Sequence, residues 1–283
     1  MPKFYNMKIL LCLNRDVYCL LAFNCLLLQL KNHQVKIYFS NSVDKAPESK
    51  NLQILRNIEQ DLSIENIGYL LDKAGVTNIN LDEFLTFEKI SKDYQIFDFQ
   101  NINSDGVDFL TNSWKPDLII SIRFGQIFKE PIIALPNFGI INLHSGILPN
   151  YRGVMATFWS MLNGEKEIGT TLHFISDSSI DTGDIVAISK KPINYDKSYI
   201  ANVLGLYENG TKNIADALYK LENNPPIVSV KQDRSLGKYF SYPSDIVIGE
   251  FLSSNGLYHV WLVMWMMKMW PLGFIRLMLL PKD

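Results

Sequence analysis

The residues that could carry out chemistry concentrate between positions 142 and 184. Asn142 and His144 lie two positions apart on a predicted strand, so their side chains share one face, while Leu143 points into the core. Asp181 follows in a loop rich in Ser, Asp and Gly. An amide and an imidazolium can stabilise the oxyanion of a tetrahedral intermediate, and a carboxylate can orient the imidazole and accept a proton. These residue types predict acyl transfer to an amine without a protein nucleophile.

Each of these residues also has a structural interpretation. A single Asn or His at a strand end usually serves as a hydrogen-bonded structural residue. Asp181 precedes Thr-Gly and could shape a turn, and the run from Leu148 to Gly153 could be a loop that leads into a helix at Met155. Spacing alone favours catalysis and structure about equally.

The elements around these residues predict an α/β fold with a mostly parallel sheet. A short apolar run, a helical pattern over 18–30 and a second strand form a strand–helix–strand unit, which is typical of parallel sheets. Polar residues at the carboxyl end of a buried parallel strand face the crevice in which such folds bind ligands. The order of strands fits a Rossmann-like, doubly wound sheet with extra strands at one edge. The predicted strands are Met7–Leu13, Val35–Phe39, Pro116–Ile122, Gly139–His144, Thr170–Phe174 and Asp184–Ile188.

The chain divides into three predicted segments. Residues 1–192 are expected to form the main domain, 193–258 a completing region with a helix and a strand or hairpin, and 259–283 a small apolar C-terminal extension. An amphipathic helix is predicted over 200–222, where Asn-Asn-Pro-Pro ends it. The polar stretch 41–113 is expected to hold two or more helices and a short strand.

Composition excludes several classes of protein. The chain has 283 residues, 47% of them hydrophobic and 20% charged, which supplies a large core and excludes a disordered or fibrous chain. Its 27 basic and 29 acidic residues give a net charge of −2. Because phosphate contacts dominate nucleic-acid affinity, the lack of a basic surplus argues against a nucleic-acid partner, although composition does not test for a local basic patch.

The cysteines indicate the compartment. Cys12, Cys19 and Cys25 are odd in number and lie in one apolar stretch. They predict buried thiols of a reducing compartment, and hence a cytoplasmic protein, rather than a disulfide framework or a zinc site. Arg15 and Asp16 interrupt the first apolar run, which argues against a signal peptide.

The apolar segment Trp261–Leu280 is a candidate contact surface. Its length approaches that of a membrane span, but Lys268, Pro271 and Arg276 lie within it. Docking of this segment on the body or on a second subunit is favoured, peripheral membrane contact is the alternative, and a true span is the least favoured. A homodimer is therefore expected.

Three motifs carry a resemblance to a known family. They are the run H-S-G-I-L-P-N-Y-R-G that begins at His144 with an Asn two positions before it, the run I-D-T-G-D-I around Asp181, and the run K-P-D-L-I-I-S-I-R-F-G-Q-I-F that begins at Lys115. Together they closely resemble the folate-dependent formyltransferase family over residues 7–192. The resemblance implies a Rossmann-like catalytic domain that moves a formyl group from 10-formyltetrahydrofolate to an amine, without a metal.

The resemblance also assigns roles to individual residues. It aligns Asn142, His144 and Asp181 with the family's catalytic Asn, His and Asp. It implies that the loop from Asp177 to Asp181 closes one side of the pterin and that a second loop holds the other side. The residues of that second loop are Gly125, Gln126, Ile127 and Phe128.

Absent features narrow the choice of acceptor within the family. The glycinamide ribonucleotide enzymes carry a Gly-rich loop after the first strand, where this chain has Asn14-Arg15-Asp16. The methionyl-tRNA enzymes carry G-T-x-x-F-A there and a C-terminal barrel, and the formyltetrahydrofolate hydrolases begin with a regulatory domain; none of these is evident. S-I-R-F-G-Q-I-F and K-Y-F-S-Y-P-S are similar to the sugar N-formyltransferases. That branch implies a dTDP-linked 4-amino-4,6-dideoxyhexose such as the glucose form, with the 3-amino isomer less favoured, and a place in O-antigen or lipopolysaccharide synthesis.

Four residues are predicted to contact that acceptor. Arg15 and Arg152 could bind its pyrophosphate through bidentate hydrogen bonds, with Asn14 beside Arg15, although a surface ion pair explains Arg15 equally well. Tyr151 could stack on thymine or on a sugar face. Two alternatives stay open: a methionyl-tRNA formyltransferase, and a non-catalytic protein that binds folate or a sugar nucleotide.

Overall fold

The computed structural model describes residues 6–40, 49–223 and 226–254. The apolar segment Trp261–Leu280, with its predicted docking or membrane contact, lies outside the described residues. Within the parts of the chain that are described, no helix is long and apolar enough to cross a bilayer.

The centre of the molecule is a mostly parallel sheet, as predicted. The strands are β1 (Lys8–Asn14), β2 (Gln34–Ser40), β3 (Gln95–Phe97), β4 (Leu118–Ile122), β5 (Ile140–His144), β6 (Tyr151–Gly153), β7 (Glu167–Ile175), β8 (Ile185–Pro192) and β9 (Lys238–Phe240). Seven of them form one sheet in the order β3-β2-β1-β4-β5-β7-β8. The strands from β3 to β5 are parallel, whereas β7 and β8 are added at one edge in antiparallel orientation. A doubly wound sheet with extra strands at one edge is therefore confirmed.

Helices cover both faces of this sheet. They are α1 (Val17–Leu30), α2 (Lys50–Glu59), α3 (Ile64–Ala74), α4 (Phe87–Asp93), α5 (Asp105–Asn112), α6 (Ala156–Leu162), α7 (Tyr199–Leu204), α8 (Tyr207–Glu222) and α9 (Asp245–Ser254). One core cluster joins α1, α2, α3, α7 and α8 to one face, and a second joins α5 and the segment 124–135 to the other. Since the central strands are covered on both faces, they appear in the sequence as continuous apolar runs.

The structure refines several sequence predictions. The helix predicted over 200–222 is two helices, because α7 ends at Gly205, whose N–H bonds to carbonyls of α7, before α8 begins at Tyr207. The stretch 49–113 holds four helices and the short strand β3, in agreement with the prediction. Cys12 and Cys19 are buried thiols and Cys25 is partly buried. The small parallel pair β6–β9 was not predicted as such, and the boundaries at residues 192 and 258 stay predictions.

Candidate active site

A cavity of about 870 Å³ opens at the carboxyl ends of β1, β4 and β5. Asn142, His144 and Asp181 all line it, together with His173 and the loop that follows β4. The three residues predicted to act together are thus brought to one place, at the edge where parallel α/β sheets bind ligands.

The strand β5 positions Asn142 and His144. Their side chains face the cavity, while Leu143 between them is buried in the core cluster shared with α1 and α8, as the two-residue period of a strand predicts. Asn142 is opposite His173 in the antiparallel pairing of β5 with β7, and Asn142 Nδ2 lies 3.1 Å from His173 Nε2. One Nδ2 hydrogen of the amide is not needed for this contact.

Both nitrogens of His144 have identifiable partners. His144 Nε2 lies 2.7 Å from the carbonyl oxygen of Tyr151, so this nitrogen carries a hydrogen and donates it. His144 Nδ1 lies 3.5 Å from Asp181 Oδ2. A neutral ring with its proton on Nε2 would turn an Nδ1 lone pair toward a carboxylate, whereas an imidazolium presents an N–H there. An N–H at Nδ1 would point at Asp181, and the long contact leaves it able to bind an incoming oxygen as well.

Asp181 has an unusual backbone conformation, and its carboxylate has several hydrogen-bonding and charged neighbours. Its φ of +54° lies in the left-handed region, which Asp and Asn tolerate better than most residues. Its Oδ2 accepts a hydrogen bond of 2.8 Å from the Gly153 backbone N–H. Burial raises the pKa of this carboxyl, but the charges of His144 and His173 and the hydrogen bonds from His173 and Gly153 outweigh burial and lower the pKa to about 2. Asp181 is thus a permanent carboxylate.

His173 belongs to the site but has no role in the sequence analysis. Its Nδ1 lies 2.8 Å from the Phe174 carbonyl oxygen and so carries a hydrogen. Its Nε2 has two neighbours, Asn142 and Asp181, and its protonation state determines which of them it bonds. In the neutral ring, Nε2 accepts from Asn142 Nδ2; in the protonated ring, it donates to Asp181 Oδ1, 3.4 Å away. A lone His in the apolar strand T-T-L-H-F is the only sequence signal, and it becomes informative only once β7 is known to pair with β5.

A segment after α8 holds the loop that carries Asp181. Gln232 is buried, and its Nε2 donates to the Asp181 carbonyl oxygen at 3.3 Å and to the Gly183 carbonyl oxygen. Arg234 Nη2 forms a 2.9 Å ion pair with Asp177 Oδ2. These contacts join the segment with Gln232 and Arg234 to the loop that carries Asp181. No local pattern in the sequence predicts them.

The predicted folate-contacting loop lines the cavity at all four positions, as does Asp177. Gln126 uses its side chain to hold this loop: Nε2 donates to the Tyr38 hydroxyl at 2.8 Å, and Oε1 accepts from the Ile102 N–H at 3.0 Å. The Gly125 N–H donates to the Ser40 hydroxyl at 2.9 Å. The loop is therefore rigid, and Phe128 is buried behind it.

The residues predicted to contact a sugar nucleotide lie in different places. Asn14 lines the cavity and donates from Nδ2 to Asp16 Oδ2 at 3.1 Å. The Arg15 guanidinium instead stacks on the Phe39 ring, 4.6 Å from its centroid. Tyr151 is buried and donates from its hydroxyl to Glu165 Oε1 at 2.7 Å. Neither of these two side chains lines the described cavity, and nor does Arg152, so their contact with an acceptor stays a prediction.

A buried charge cluster lies beside the catalytic residues in the same cavity. Arg123 Nε forms a 2.8 Å ion pair with Asp16 Oδ2, and Arg123 Nη2 lies 3.7 Å from Glu59 Oε2. The Tyr18 hydroxyl donates to Glu59 Oε1 at 3.0 Å, and the Arg123 guanidinium lies 4.3 Å from the Tyr18 ring centroid. Two acids thus share one guanidinium. No local pattern in the sequence predicts this cluster, because its members come from three distant parts of the chain.

Glu59 in this cluster predicts that the free energy of unfolding depends on pH, and that Glu59→Gln removes this dependence. Burial raises the pKa of Glu59 from 4.5 to about 7, against the lowering effect of Arg123. The unfolded chain therefore loses this proton first, and the free energy of unfolding falls as pH rises from 4.5 to about 7. The expected loss is about 3 kcal/mol. Glu59→Gln should abolish it in urea unfolding at about pH 5 and about pH 8, whereas the exposed Glu83→Gln should not. An unchanged slope in Glu59→Gln would contradict this assignment.

The donor groups of the site do not form a metal centre. Among the residues described, no group of three or more His, Cys, Asp or Glu is arranged to hold a metal ion.

The fold and the geometry define a Rossmann-like α/β protein in which Asn142, His144 and Asp181 lie together at the carboxyl edge of the sheet. Residues 86–203 match the family model described as "Formyl transferase". The matched residues include all three predicted catalytic positions.

Comparison with curated proteins finds methionyl-tRNA formyltransferases. The enzyme of Citrifermentans bemidjiense is 36% identical over 124 residues, which are 44% of this chain and 38% of that protein. The chain thus spans about two fifths of the length of this relative.

Comparison with solved structures finds the same fold in sugar N-formyltransferases. A 4-N formyltransferase from Francisella tularensis superposes with a TM-score of 0.56 at 17% identity, over 88% of this chain and 87% of that one. An N-formyltransferase from Helicobacter canadensis, solved with folinic acid and dTDP-3-aminofucose, superposes with a TM-score of 0.53 at 19% identity, over 88% and 80%. At these identities the shared property is the fold.

Proposed function

We propose that this protein transfers a formyl group from 10-formyltetrahydrofolate to the amine of a nucleotide-linked amino sugar. The observation that carries the proposal is the joint geometry of Asn142, His144 and Asp181. An amide donor, an imidazolium and a permanent carboxylate meet at the edge of a formyl transferase domain, with 3.5 Å between His144 Nδ1 and Asp181 Oδ2.

The cavity suits the folate co-substrate. A rigid loop with exposed backbone groups over 125–128 faces the loop at Asp177, and Phe124 and Phe128 stack behind it with centroids 5.2 Å apart. A flat, polar-edged pterin needs such a slot with hydrogen-bonding walls. Lys129 lies at the same end and offers a cation for the carboxylates of a folate tail. When bound, 10-formyltetrahydrofolate supplies the formyl group.

Two residues stabilise the negative charge that develops on the formyl oxygen. Asn142 donates an Nδ2 hydrogen, and His144 donates from Nδ1. Both donors are fixed before the reaction, because Asn142 is tied to His173 and His144 is tied to the Tyr151 carbonyl. Preorganised donors of this kind need no reorganisation as charge develops, which is why they accelerate acyl transfer.

Asp181 takes part in proton transfer during the proposed reaction. Its carboxylate faces His144 Nδ1 at 3.5 Å and accepts, directly or through water, the proton that the attacking amine loses. Collapse of the oxyanion breaks the bond between the formyl carbon and N10 of the folate, and that nitrogen takes up a proton. The acceptor nitrogen gains the formyl group and gives up one proton, so the exchange balances.

Several observations support a sugar nucleotide as the acceptor. Asn14-Arg15-Asp16 replaces the phosphate loop of the glycinamide ribonucleotide enzymes, and Tyr239, Ser241 and Tyr242 of the K-Y-F-S-Y-P-S motif line the cavity. Enzymes of the same fold are solved as sugar N-formyltransferases. A dTDP-linked 4-amino-4,6-dideoxyhexose is the proposed substrate, with the 3-amino isomer second. A homodimer, cytoplasmic location and a place in O-antigen or lipopolysaccharide synthesis belong to this same proposal.

The direct test is release of tetrahydrofolate, followed by absorbance, with 10-formyltetrahydrofolate and a panel of nucleotide-linked amino sugars. Release that depends on one sugar would support the proposal and identify the acceptor. Folate binding without release for any acceptor would favour the non-catalytic binder.

A methionyl-tRNA formyltransferase is the second candidate, because the curated relatives carry that name. The net charge of −2 argues against it, since tRNA binding requires contacts to many phosphates. Release of tetrahydrofolate with initiator methionyl-tRNA, and with no sugar nucleotide, would decide in its favour.

Loss of the amide donor should lower turnover far more than binding. Asn142→Ala is expected to reduce kcat about 100- to 1,000-fold, since removal of one oxyanion donor costs about 2.7–4 kcal/mol. The KM for both substrates should change little, because the lost bond forms fully only in the transition state. Steady-state kinetics test this, with the exposed Asn57→Ala as a control; wild-type turnover in Asn142→Ala would remove Asn142 from the mechanism.

A further inference from the structure

The cavity has two arms on opposite faces of the sheet. The first, here called the folate arm, contains Asn103, Gln126 and Lys129, beside the core cluster that includes Phe128. The second, here called the acceptor arm, lies beside the other core cluster, against α2 and the end of the chain. Its lining residues include Leu52, Arg56, Gln60, Tyr199 and Tyr242.

We propose that Arg56 binds a phosphate group of the acceptor, so that α2 forms the wall of a nucleoside diphosphate subsite. The inference rests on the proposed function for the identity of the ligand, and on the geometry of α2 for its location. Leu52, Arg56 and Gln60 are spaced four residues apart at the cavity wall, so they share one face of the helix.

The cations of the cavity differ in how far their charge is compensated. Arg56, Arg123 and Lys129 are the Lys and Arg residues that line it among those described. Arg123 is paired with Asp16 at 2.8 Å and approaches Glu59 at 3.7 Å, so its charge is already balanced. Lys129 lies in the folate arm. Arg56 is therefore the cation that the acceptor arm offers to an anion.

The surroundings of Arg56 suit a phosphate. No ion pair to Arg56 occurs within the described chain; the neighbouring Glu59 bonds Tyr18 and faces Arg123 instead. The Arg56 guanidinium lies 6.0 Å from the Tyr242 ring centroid, at the limit of a cation–π contact, and its side chain is half-buried. Arg56 also interacts with the Tyr242 side chain through a hydrogen bond. The planar fork of a guanidinium has five N–H donors, so it can bind two phosphate oxygens at once beside such a contact.

The negative charge nearby is smaller than the count of acids suggests. Burial raises the pKa of Glu59 to about 7, so this carboxyl carries only part of its charge at neutral pH. Asp16 Oδ2 binds Arg123 and Asn14, and Asp16 Oδ1 accepts from the Cys19 N–H, which caps α1. Asp16 is thus already partnered by other groups, and Glu59 is only partly charged.

Calorimetric titration of the full chain with dTDP and with thymidine tests the subsite. Arg56→Gln is expected to weaken dTDP binding about 10- to 100-fold and to leave thymidine binding unchanged, because only the phosphate contact is lost. Arg56→Lys should recover part of the affinity, since it restores charge without the fork. Equal dTDP affinity in wild type and Arg56→Gln, equal loss for thymidine, or no dTDP binding to wild type would each overturn the inference.

Kinetics separate this inference from the proposed function. If sugar-dependent release occurs, Arg56→Gln should raise the KM for the sugar nucleotide and not that for folate, while Lys129→Gln should do the reverse. Sugar-dependent release with an unchanged KM in Arg56→Gln would refute the subsite and leave the proposed function standing. Arg56-dependent dTDP binding without release for any sugar would refute the reaction and leave the subsite standing.

Discussion

Replacing Asp181 by asparagine is expected to lower kcat/KM about 100- to 10,000-fold without unfolding the protein. The substitution removes the negative charge beside His144 Nδ1 and the group that accepts the proton of the amine. An asparagine oxygen can still accept the Gly153 N–H, and asparagine tolerates the φ of +54° at this position. The loss should therefore be chemical rather than structural.

The assay compares tetrahydrofolate release and folate binding in wild type and Asp181→Asn. Folate binding should persist, so that kcat falls and the dissociation constant does not. Asp233→Asn is the matched control, because Asp233 is an exposed aspartate of the segment that holds the loop and its side chain bonds the neighbouring Ser235. Turnover above half of the wild-type value in Asp181→Asn would show that the carboxylate is not required.

The low pKa of Asp181 has a consequence for stability at acid pH. Because the folded value of about 2 lies below the ordinary 3.8, ionised Asp181 contributes stability that is fully present above pH 3.8 and is lost as pH falls toward about 2. In Asp181→Asn this contribution disappears.

The second large effect is on stability. Arg123→Met is expected to lower the free energy of unfolding by about 3–5 kcal/mol, since it leaves Asp16 and Glu59 as buried acids without their guanidinium. The Arg123 side chain is 22% exposed and that of Asp16 only 1%. A surface ion pair lost in the same way costs about 0–1 kcal/mol.

Urea unfolding of the variants measures this difference. Lys92→Met is the control, because Lys92 forms an exposed pair with Glu88 at 3.1 Å. The double variant Glu59→Gln with Arg123→Met should recover part of the lost stability, because one of the two orphaned acids is then neutral. If Arg123→Met costs no more than Lys92→Met, the buried cluster is not a source of stability.

The sequence by itself determined the central sheet and the three catalytic candidates. Apolar residues dominate β1 and β4, because strands buried on both faces have few polar positions, and in β5 they are interrupted by Asn142 and His144. The two-residue period places Asn142 and His144 on one face, and the carboxyl ends of parallel strands meet at one edge. These are local or topological regularities, so they can be predicted from a single sequence.

The tertiary structure alone decided which partners surround those residues. His173 is opposite Asn142 only through the antiparallel register of β7, and Asp16 meets Arg123 across 107 positions of the chain. The acceptor arm is lined by α2 and by residues near Tyr242. Gln232 donates a hydrogen bond to the backbone of the loop that carries Asp181. Such contacts depend on how elements pack and in which register they pair, and no local period in the sequence encodes them. The physical reason is that long-range packing selects the neighbours, whereas short-range periodicity selects only the elements.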